Sequence, residues 1–129
     1  MKTFLTITLA LFTGFVFSQG NQVLNSFNYL KSKEFDKAKA ATDAAAEHES
    51  TKGSAKMWMY RGHIYRAIFQ DTSAKVRSID QEAEEKSLEA YMNCLKIDLA
   101  ENAKSPVYKE DVKGPVVISA AAVNRKGKW

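Results

Sequence analysis

The amino-acid sequence predicts an all-α fold. Apolar residues recur every three or four positions in most of the chain after residue 20. One segment, 57–69, carries a stripe of aromatic residues on a single helical face. The 129 residues, 45% of them apolar and 26% charged, are typical of one globular domain rather than of a disordered chain.

The N-terminal segment has the three-part form of a secretory signal peptide. Lys2 gives it a positive start, residues 4–17 form a mostly apolar run, and Ser18 is a small residue suited to cleavage. We therefore expect a signal peptide at 1–18 and a helical domain at 19–129 that is periplasmic or secreted. The run is too short for a comfortable transmembrane span, so we expect no stable span after cleavage. An uncleaved membrane anchor is the alternative interpretation.

Two helices are predicted next, over 21–31 and 34–47. The second is rich in alanine, which has the strongest helix propensity and packs closely against neighbours. Ser32 is expected to cap this second helix, and His48 to end it. Ser54 is expected to cap the helix that follows.

That third helix, over 57–69, is the segment around which the rest of the fold is predicted to pack. Trp58, Gly62, Tyr65 and Phe69 lie four, three and four residues apart and therefore share one face. A glycine inside a helix costs about 1 kcal/mol relative to alanine. We interpret Gly62 as a position where another backbone approaches closely.

The next segment, 70–77, is polar and is predicted to be an exposed insertion. Residues 78–81 have the form of a capping box, which predicts that a fourth helix begins there and continues to about Leu99. Glu82 and Lys86 are spaced to form an i,i+4 ion pair on that helix.

The C-terminal segment is predicted to be two short helical pieces. Ser105 and Pro106 are expected to open the first, because proline is favoured at the first helical position. Gly114 and Pro115 are expected to interrupt it, and an apolar partial helix at 116–129 then follows. An apolar helix without a partner favours self-association or a larger helical assembly.

The spacing of Trp58, Gly62 and Tyr65 resembles the first helix of a tetratricopeptide repeat (TPR), whose pattern is W-x2-L-G-x2-Y. Arg61 stands where the family has leucine. The repeat at about 54–99 contains roughly thirteen residues more than the family spacing, which we assign to the insertion near 70–77.

The second helix of this repeat also resembles the family pattern. Ser87, Tyr91 and Cys94 stand at its small, aromatic and small positions, and Leu99 stands where the family has proline. A weaker copy at about 21–48 has its counterparts at Tyr29, Phe35, Ala38, Thr42 and Ala45. A third repeat is predicted to open at Lys126 and Gly127. The resemblance therefore implies a fold of antiparallel helix-turn-helix repeats, a TPR-like α-solenoid with about two repeats and a partial third.

The resemblance implies a function in protein–protein contact, because the first helix of each TPR pair lines a groove that holds a peptide or a partner helix. The residues that it places at this groove are Val23, Phe27, Lys31, Lys56, Met59, His63 and Arg66. Their apolar, basic and titratable side chains suit a peptide of acidic and hydrophobic character. The residues that it places in the core of the repeats are Tyr29, Phe35, Ala38, Trp58, Gly62, Tyr65, Leu88, Tyr91, Cys94 and Leu95.

Other classes of function are disfavoured. The net charge of +4 comes from lysines spread along the chain, which favours a solvated surface over nucleic-acid binding. Nucleotide-binding, hydrolase and metalloprotease motifs are absent, and Cys94 stands alone, so we expect no enzyme, cofactor or metal site. Glu47, His48 and Glu49 are adjacent and cannot converge on one ion from a helix. A structural subunit of a larger helical assembly, without a ligand of its own, is the alternative to a binding module.

Overall fold

The computed structural model describes residues 22–127, and these form six helices and no strand. The prediction of an all-α fold is confirmed for this part of the chain. The predicted signal peptide and the last two residues lie outside the described residues. The helices are α1 at 22–31, α2 at Phe35–Glu47, α3 at Ala55–Gln70, the single turn α4 at Ala74–Arg77, α5 at Ala83–Glu101 and α6 at Lys109–Arg125.

Helix α3 is the centre of the packing, since it contacts α2, α4, α5 and α6, while α6 also packs against α5. One core cluster joins α2, α3 and the start of α5 around Ile64, Tyr65 and Ile68. A second joins α3, α5 and α6 around Tyr91 and Val112. The two clusters use two different faces of α3, which explains why so much of this helix is apolar.

The ten residues predicted to form the repeat core divide into two groups by exposure. Ala38, Gly62, Tyr65, Tyr91 and Cys94 are buried. The others, Tyr29, Phe35, Trp58, Leu88 and Leu95, are half-buried.

Gly62 faces the ring of Tyr91. A Cβ atom at this position would lie 2.5 Å from the nearest ring carbon, closer than such atoms approach. The hydroxyl of Ser87 also donates a hydrogen bond to the Gly62 carbonyl over 3.0 Å. The predicted close approach therefore exists, but an aromatic side chain makes it where another backbone was expected.

The cap of α2 differs from the prediction, while that of α3 agrees with it. Ser32 lies in the turn between α1 and α2, and Glu34 precedes α2 without capping it by its side chain. Lys33 has a left-handed backbone conformation, at φ 58°, which ends α1. Residues 32–34 therefore form the turn between α1 and α2. Ser54 accepts a hydrogen bond from the Met57 N–H over 3.2 Å, so the predicted cap of α3 is confirmed.

The predicted capping box at 78–81 is wrong. Ser78 belongs to the end of α4, where its hydroxyl donates to the Lys75 carbonyl. Asp80 accepts from the Glu82 N–H over 2.8 Å and pairs with Lys86 over 2.5 Å. Because Lys86 is held by Asp80, the predicted pair between Glu82 and Lys86 is replaced, and α5 begins at Ala83.

The predicted interruption at Gly114 and Pro115 is also wrong, since α6 continues through both residues. Pro115 cannot donate one of the helical hydrogen bonds. Val112 before it and Ser119 after it are both buried, and this burial keeps both halves of α6 packed against α3 and α5. Tertiary packing here overrides local propensity.

Both ends of α6 also differ from the prediction. Buried Asp98 accepts hydrogen bonds from the N–H groups of Val107 (3.0 Å) and Tyr108 (2.7 Å), and the helix begins after them, not at 105–106. Burial alone would raise the pKa of Asp98, but these backbone donors outweigh it and hold the pKa below its ordinary value. Lys126 caps the C-terminal end, and Gly127 follows at φ 70°. These two residues end a helix, where a third repeat was expected to open.

We predict that Gly62→Ala destabilises the fold. Forcing a methyl group against the buried Tyr91 ring costs about 1–3 kcal/mol, against a gain of about 1 kcal/mol in helix propensity. Because the Cβ atom would lie only 2.5 Å from the ring, we expect the upper part of this range and a net loss of about 1–2 kcal/mol in urea unfolding followed by circular dichroism. Gly114→Ala is the matched control, because nothing lies within 4 Å of its Cβ position. In dilute solution that variant should gain up to about 1 kcal/mol, and equal effects of the two substitutions would contradict the packing argument.

We predict that Thr42→Val stabilises the fold. Thr42 is 1% exposed, and its hydroxyl has no hydrogen-bond partner within the described part of the chain. Valine has nearly the same shape and removes an unsatisfied polar atom, which is worth about 1–2 kcal/mol. Thr42→Ser retains the hydroxyl and removes a methyl group, so it should be less stable than both. A loss of stability in Thr42→Val, measured by urea unfolding, would show that the hydroxyl is satisfied.

Candidate peptide-binding groove

A groove of 420 Å³ lies between α1 and α3. Its lining residues are Phe27, Leu30, His63, Arg66, Ala67 and Gln70. Three of the seven residues predicted to face a ligand, Phe27, His63 and Arg66, therefore line one space. They meet because α1 and α3, the first helices of the two predicted repeats, lie side by side.

An aromatic pair joins these two helices. The rings of Phe27 and Tyr60 stack at a centroid distance of 4.4 Å and an angle of 11°. The Lys31 ammonium lies 4.6 Å from the Phe27 ring centroid, and that of Lys56 lies 5.6 Å from the Tyr60 centroid. The predicted residues Lys31 and Lys56 thus lie over this pair rather than in the groove itself.

Tyr60 was not among the predicted groove residues. It lies four residues after Lys56 and three before His63, so it shares their side of α3. That spacing was the available signal for its position. Its stacking partner on another helix was not visible in the sequence.

The other two predicted groove residues are not among the residues that line this space. Met59 packs against the second core cluster, formed with α5 and α6. Val23 is half-buried in α1, and its carbonyl accepts a hydrogen bond from Ser26 over 2.7 Å. The structure therefore separates Val23 and Met59 from Phe27, His63 and Arg66.

His63 is held by the core. Its Nδ1 lies 2.6 Å from the Tyr91 hydroxyl, and the two rings meet edge to face at 5.4 Å. Burial, helped by the positive charge of Arg66 and opposed by Asp111, lowers the pKa of His63 to about 4. Burial likewise raises the pKa of Tyr91 to about 12. His63 is therefore neutral at pH 7, and Arg66 is the charged side chain that lines the groove.

The groove side of the molecule is basic. Helix α3 contains no acidic residue, and neither does α1 within its described residues. None of the ion pairs formed within residues 22–127 includes Lys31, Lys56 or Arg66. Three cations thus surround an apolar floor without a carboxylate bound to them, which suits an acidic ligand.

Arg61, which departs from the TPR pattern, is used for a different contact. Its guanidinium donates to the Asp43 carboxylate over 2.6 Å, and Lys39 pairs with the same carboxylate over 2.9 Å. The hydroxyl of Tyr65 also donates to Asp43. Burial acts to raise the pKa of Asp43, but these three donors outweigh it and lower the pKa. Arg61 therefore connects α3 to α2 and is not a groove residue.

Three further features of the described residues concern metal ligands, the Cys94 thiol and apolar helices. Within 22–127, no group of three histidine, cysteine or acidic side chains is placed to hold a metal ion. The thiol of Cys94 is buried, which raises its pKa to about 11 and keeps it protonated. No helix in this range is both long enough and apolar enough to cross a membrane.

Comparisons of the chain with family models, with curated proteins and with solved structures found no match. The likeness to TPR proteins therefore rests on the residues of this chain alone.

We predict that stability falls as the pH is lowered from about 6.5 to 4. In this window the unfolded chain binds a proton at His63, whose pKa is then near 6.5, while the folded chain does not, because its pKa is about 4. Protonation therefore favours unfolding. Thermal unfolding across this range should show a shallower pH dependence for His63→Gln than for the wild type. Identical slopes for the two proteins would contradict this assignment.

Proposed function

We propose that this chain is a non-catalytic protein–protein interaction scaffold of the TPR type, which binds a peptide or partner helix between α1 and α3. The observation that carries the proposal is the groove itself. It has an apolar floor from Phe27 and Leu30, the cation Arg66 in its lining, and the cations Lys31 and Lys56 beside it.

The order of helix contacts supports a repeat arrangement. Helix α3 packs against α2 before it in the chain and against α5 after it, and α5 packs against α6. Helix α3 also contacts α6, as the first helices of consecutive repeats would. Gly62 contributes the close contact with the second helix of its own repeat, at the position where the TPR pattern has glycine.

The chemistry of the groove favours a ligand with both apolar and acidic side chains. An apolar side chain would fill the space beside Phe27, Leu30 and Ala67. A neighbouring carboxylate would meet Arg66, whose planar guanidinium can bind it in a bidentate manner. The neutral imidazole of His63 adds no charge at pH 7, so the attraction is supplied by the arginine and the two lysines.

The place of action that we propose is the cell envelope or the exterior of the cell. This part of the proposal depends on the N-terminal segment, whose form is that of a signal peptide. The partner would then be another exported protein or an exposed segment of an envelope protein.

We predict that the groove binds acidic peptides in preference to basic ones. The test is fluorescence anisotropy with a panel of labelled 10-residue peptides that alternate leucine or phenylalanine with glutamate, and a second panel with lysine in place of glutamate. The double variant Lys31→Gln, Lys56→Gln should weaken acidic-peptide binding about 5-fold, from about 1 kcal/mol of lost attraction. Lys96→Gln and Lys104→Gln are matched controls, because both lysines are exposed and lie outside the groove. Equal binding of the two panels would refute the proposal.

A structural subunit of a larger helical assembly is the second candidate. The observation that favours it is an exposed apolar side on α6, where Val117 is 67% exposed. Under this interpretation the lysine substitutions would change neither peptide binding nor folding, and substitutions on α6 would change assembly.

A further inference from the structure

Helix α6 exposes an apolar stripe on the side away from its buried residues. Val117 is 67% exposed and Ile118 is 38% exposed, whereas Val112 and Ser119 on the opposite side are fully buried. A shallow groove of 400 Å³ runs along this helix. Its lining residues are Val116, Val117, Ala120, Ala121 and Asn124. Within 22–127, no helix packs over it.

Six exposed residues on one side of α6 form a pattern that is complementary to its own reverse. In chain order they are an acid, a small residue, two branched residues, a small residue and a base: Glu110, Gly114, Val117, Ile118, Ala121 and Arg125. The pattern is symmetric about the bond between Val117 and Ile118. If an identical helix lies antiparallel on this surface, Glu110 meets Arg125 of the other copy, and Gly114 meets its Ala121.

We propose that a second copy of this chain occupies the stripe, forming a two-fold symmetric dimer through antiparallel α6 helices. A two-fold interface requires one patch to complement itself, and this stripe does so in both charge and size. Each dimer contains two contacts between Glu110 and Arg125. Antiparallel helix dipoles add a further favourable term.

The charged residues at the ends of the stripe are available for this pairing. Glu110 pairs with Lys113 one turn along the same helix, and their side chains are 72% and 66% exposed, so the pair exchanges readily. None of the ion pairs formed within the described residues includes Arg125. Charge complementarity therefore identifies a second copy as the occupant.

Gly114 adds a packing argument. A glycine in the interior of a helix is unfavourable. Apart from its two neighbours and the backbone of its own helix, no atom of residues 22–127 lies within 4 Å of the Cβ position of Gly114. Packing inside the chain therefore gives no reason for a glycine there. Opposite Ala121 of another copy, it lets the two helix backbones approach closely.

The size of the surface sets the strength of the dimer. One helix pair buries less area than the 1,200–2,000 Å² or so of a stable interface, so we expect a dissociation constant in the micromolar range or weaker. The proposal is independent of the α1–α3 groove, because its residues all lie on α6.

The experiment is sedimentation velocity on the protein isolated after expression of the full 129-residue sequence, at concentrations from about 1 to 500 μM, a range chosen to bracket weak interfaces. Wild type should shift from monomer to dimer and no further. Val117→Glu places a charge at the centre of the interface and should abolish the dimer. Circular dichroism should show an intact fold, since Val117 is mostly exposed.

A charge exchange tests the antiparallel register. Glu110→Arg and Arg125→Glu, each alone, place like charges opposite one another and should weaken dimerisation at least about 10-fold. Mixing the two variants should restore dimers, because each contact in the mixed dimer then joins opposite charges. The double variant should also dimerise with itself.

Three outcomes would overturn the proposal. They are a monomer at every concentration, a dimer that Val117→Glu leaves unchanged, and weakened single charge variants that fail to pair when mixed. The first would leave a different protein or a further helix as the occupant of the stripe. The peptide-binding test reads a different property, so the two proposals can fail separately.

Discussion

The ring of Tyr91 lies against the backbone of Gly62, where any side chain would collide with it. This contact brings α3 and α5 together at the centre of the molecule. The short distance between these two helices allows the further contacts of Ser87. Ser87, one turn before Tyr91, donates to the Gly62 carbonyl and also lies 2.9 Å from the Ser119 hydroxyl of α6. One close approach thus sets the position of three helices.

The same contact reaches the candidate groove. The Tyr91 hydroxyl extends past Gly62 to Nδ1 of His63, which lines the space between α1 and α3. His63 is thereby fixed in its rotamer and kept neutral by burial. Because the core already orders the His63 side chain, the protein would lose little conformational entropy at this residue when a ligand binds. On the other side of α3, the bond from Arg61 to Asp43 fixes α2.

Helices whose ends depend on local signals were predicted well from the sequence. Helix α3 was expected at 57–69 and is found at Ala55–Gln70, with Ser54 as the expected cap. Helix α2 was expected at 34–47 and is found at Phe35–Glu47. In both cases periodicity and neighbouring residues determine the boundary, and both are visible in a single sequence.

The errors occur where a distant residue determines the local structure. Helix α6 begins after Tyr108, whose backbone N–H donates a hydrogen bond to Asp98, ten residues earlier in the chain. It passes through Pro115 because Val112 and Ser119 are buried against neighbouring helices. For the site, the sequence placed Phe27, His63 and Arg66 at one groove on the strength of a resemblance. Tyr60 was missed although its spacing places it on the same side of α3 as Lys56 and His63. Its stacking on Phe27 depends on the separation of α1 and α3 in space, which neither helix sequence shows.

The two proposed surfaces lie on different helices, and this separation has a consequence for affinity. A groove formed by a few side chains, two exposed lysines and the half-buried Arg66 binds a single peptide weakly, because the attraction is screened by salt. A dimer joined through α6 leaves α1 and α3 of each copy uncovered by the interface and so carries two grooves. A partner with two acidic segments at a matching distance would bind the second groove at high effective concentration. Weak dimerisation and weak peptide binding would then reinforce each other. The dimer strengthens the binding of a bivalent partner by a certain free energy, and the bound partner stabilises the dimer by the same amount.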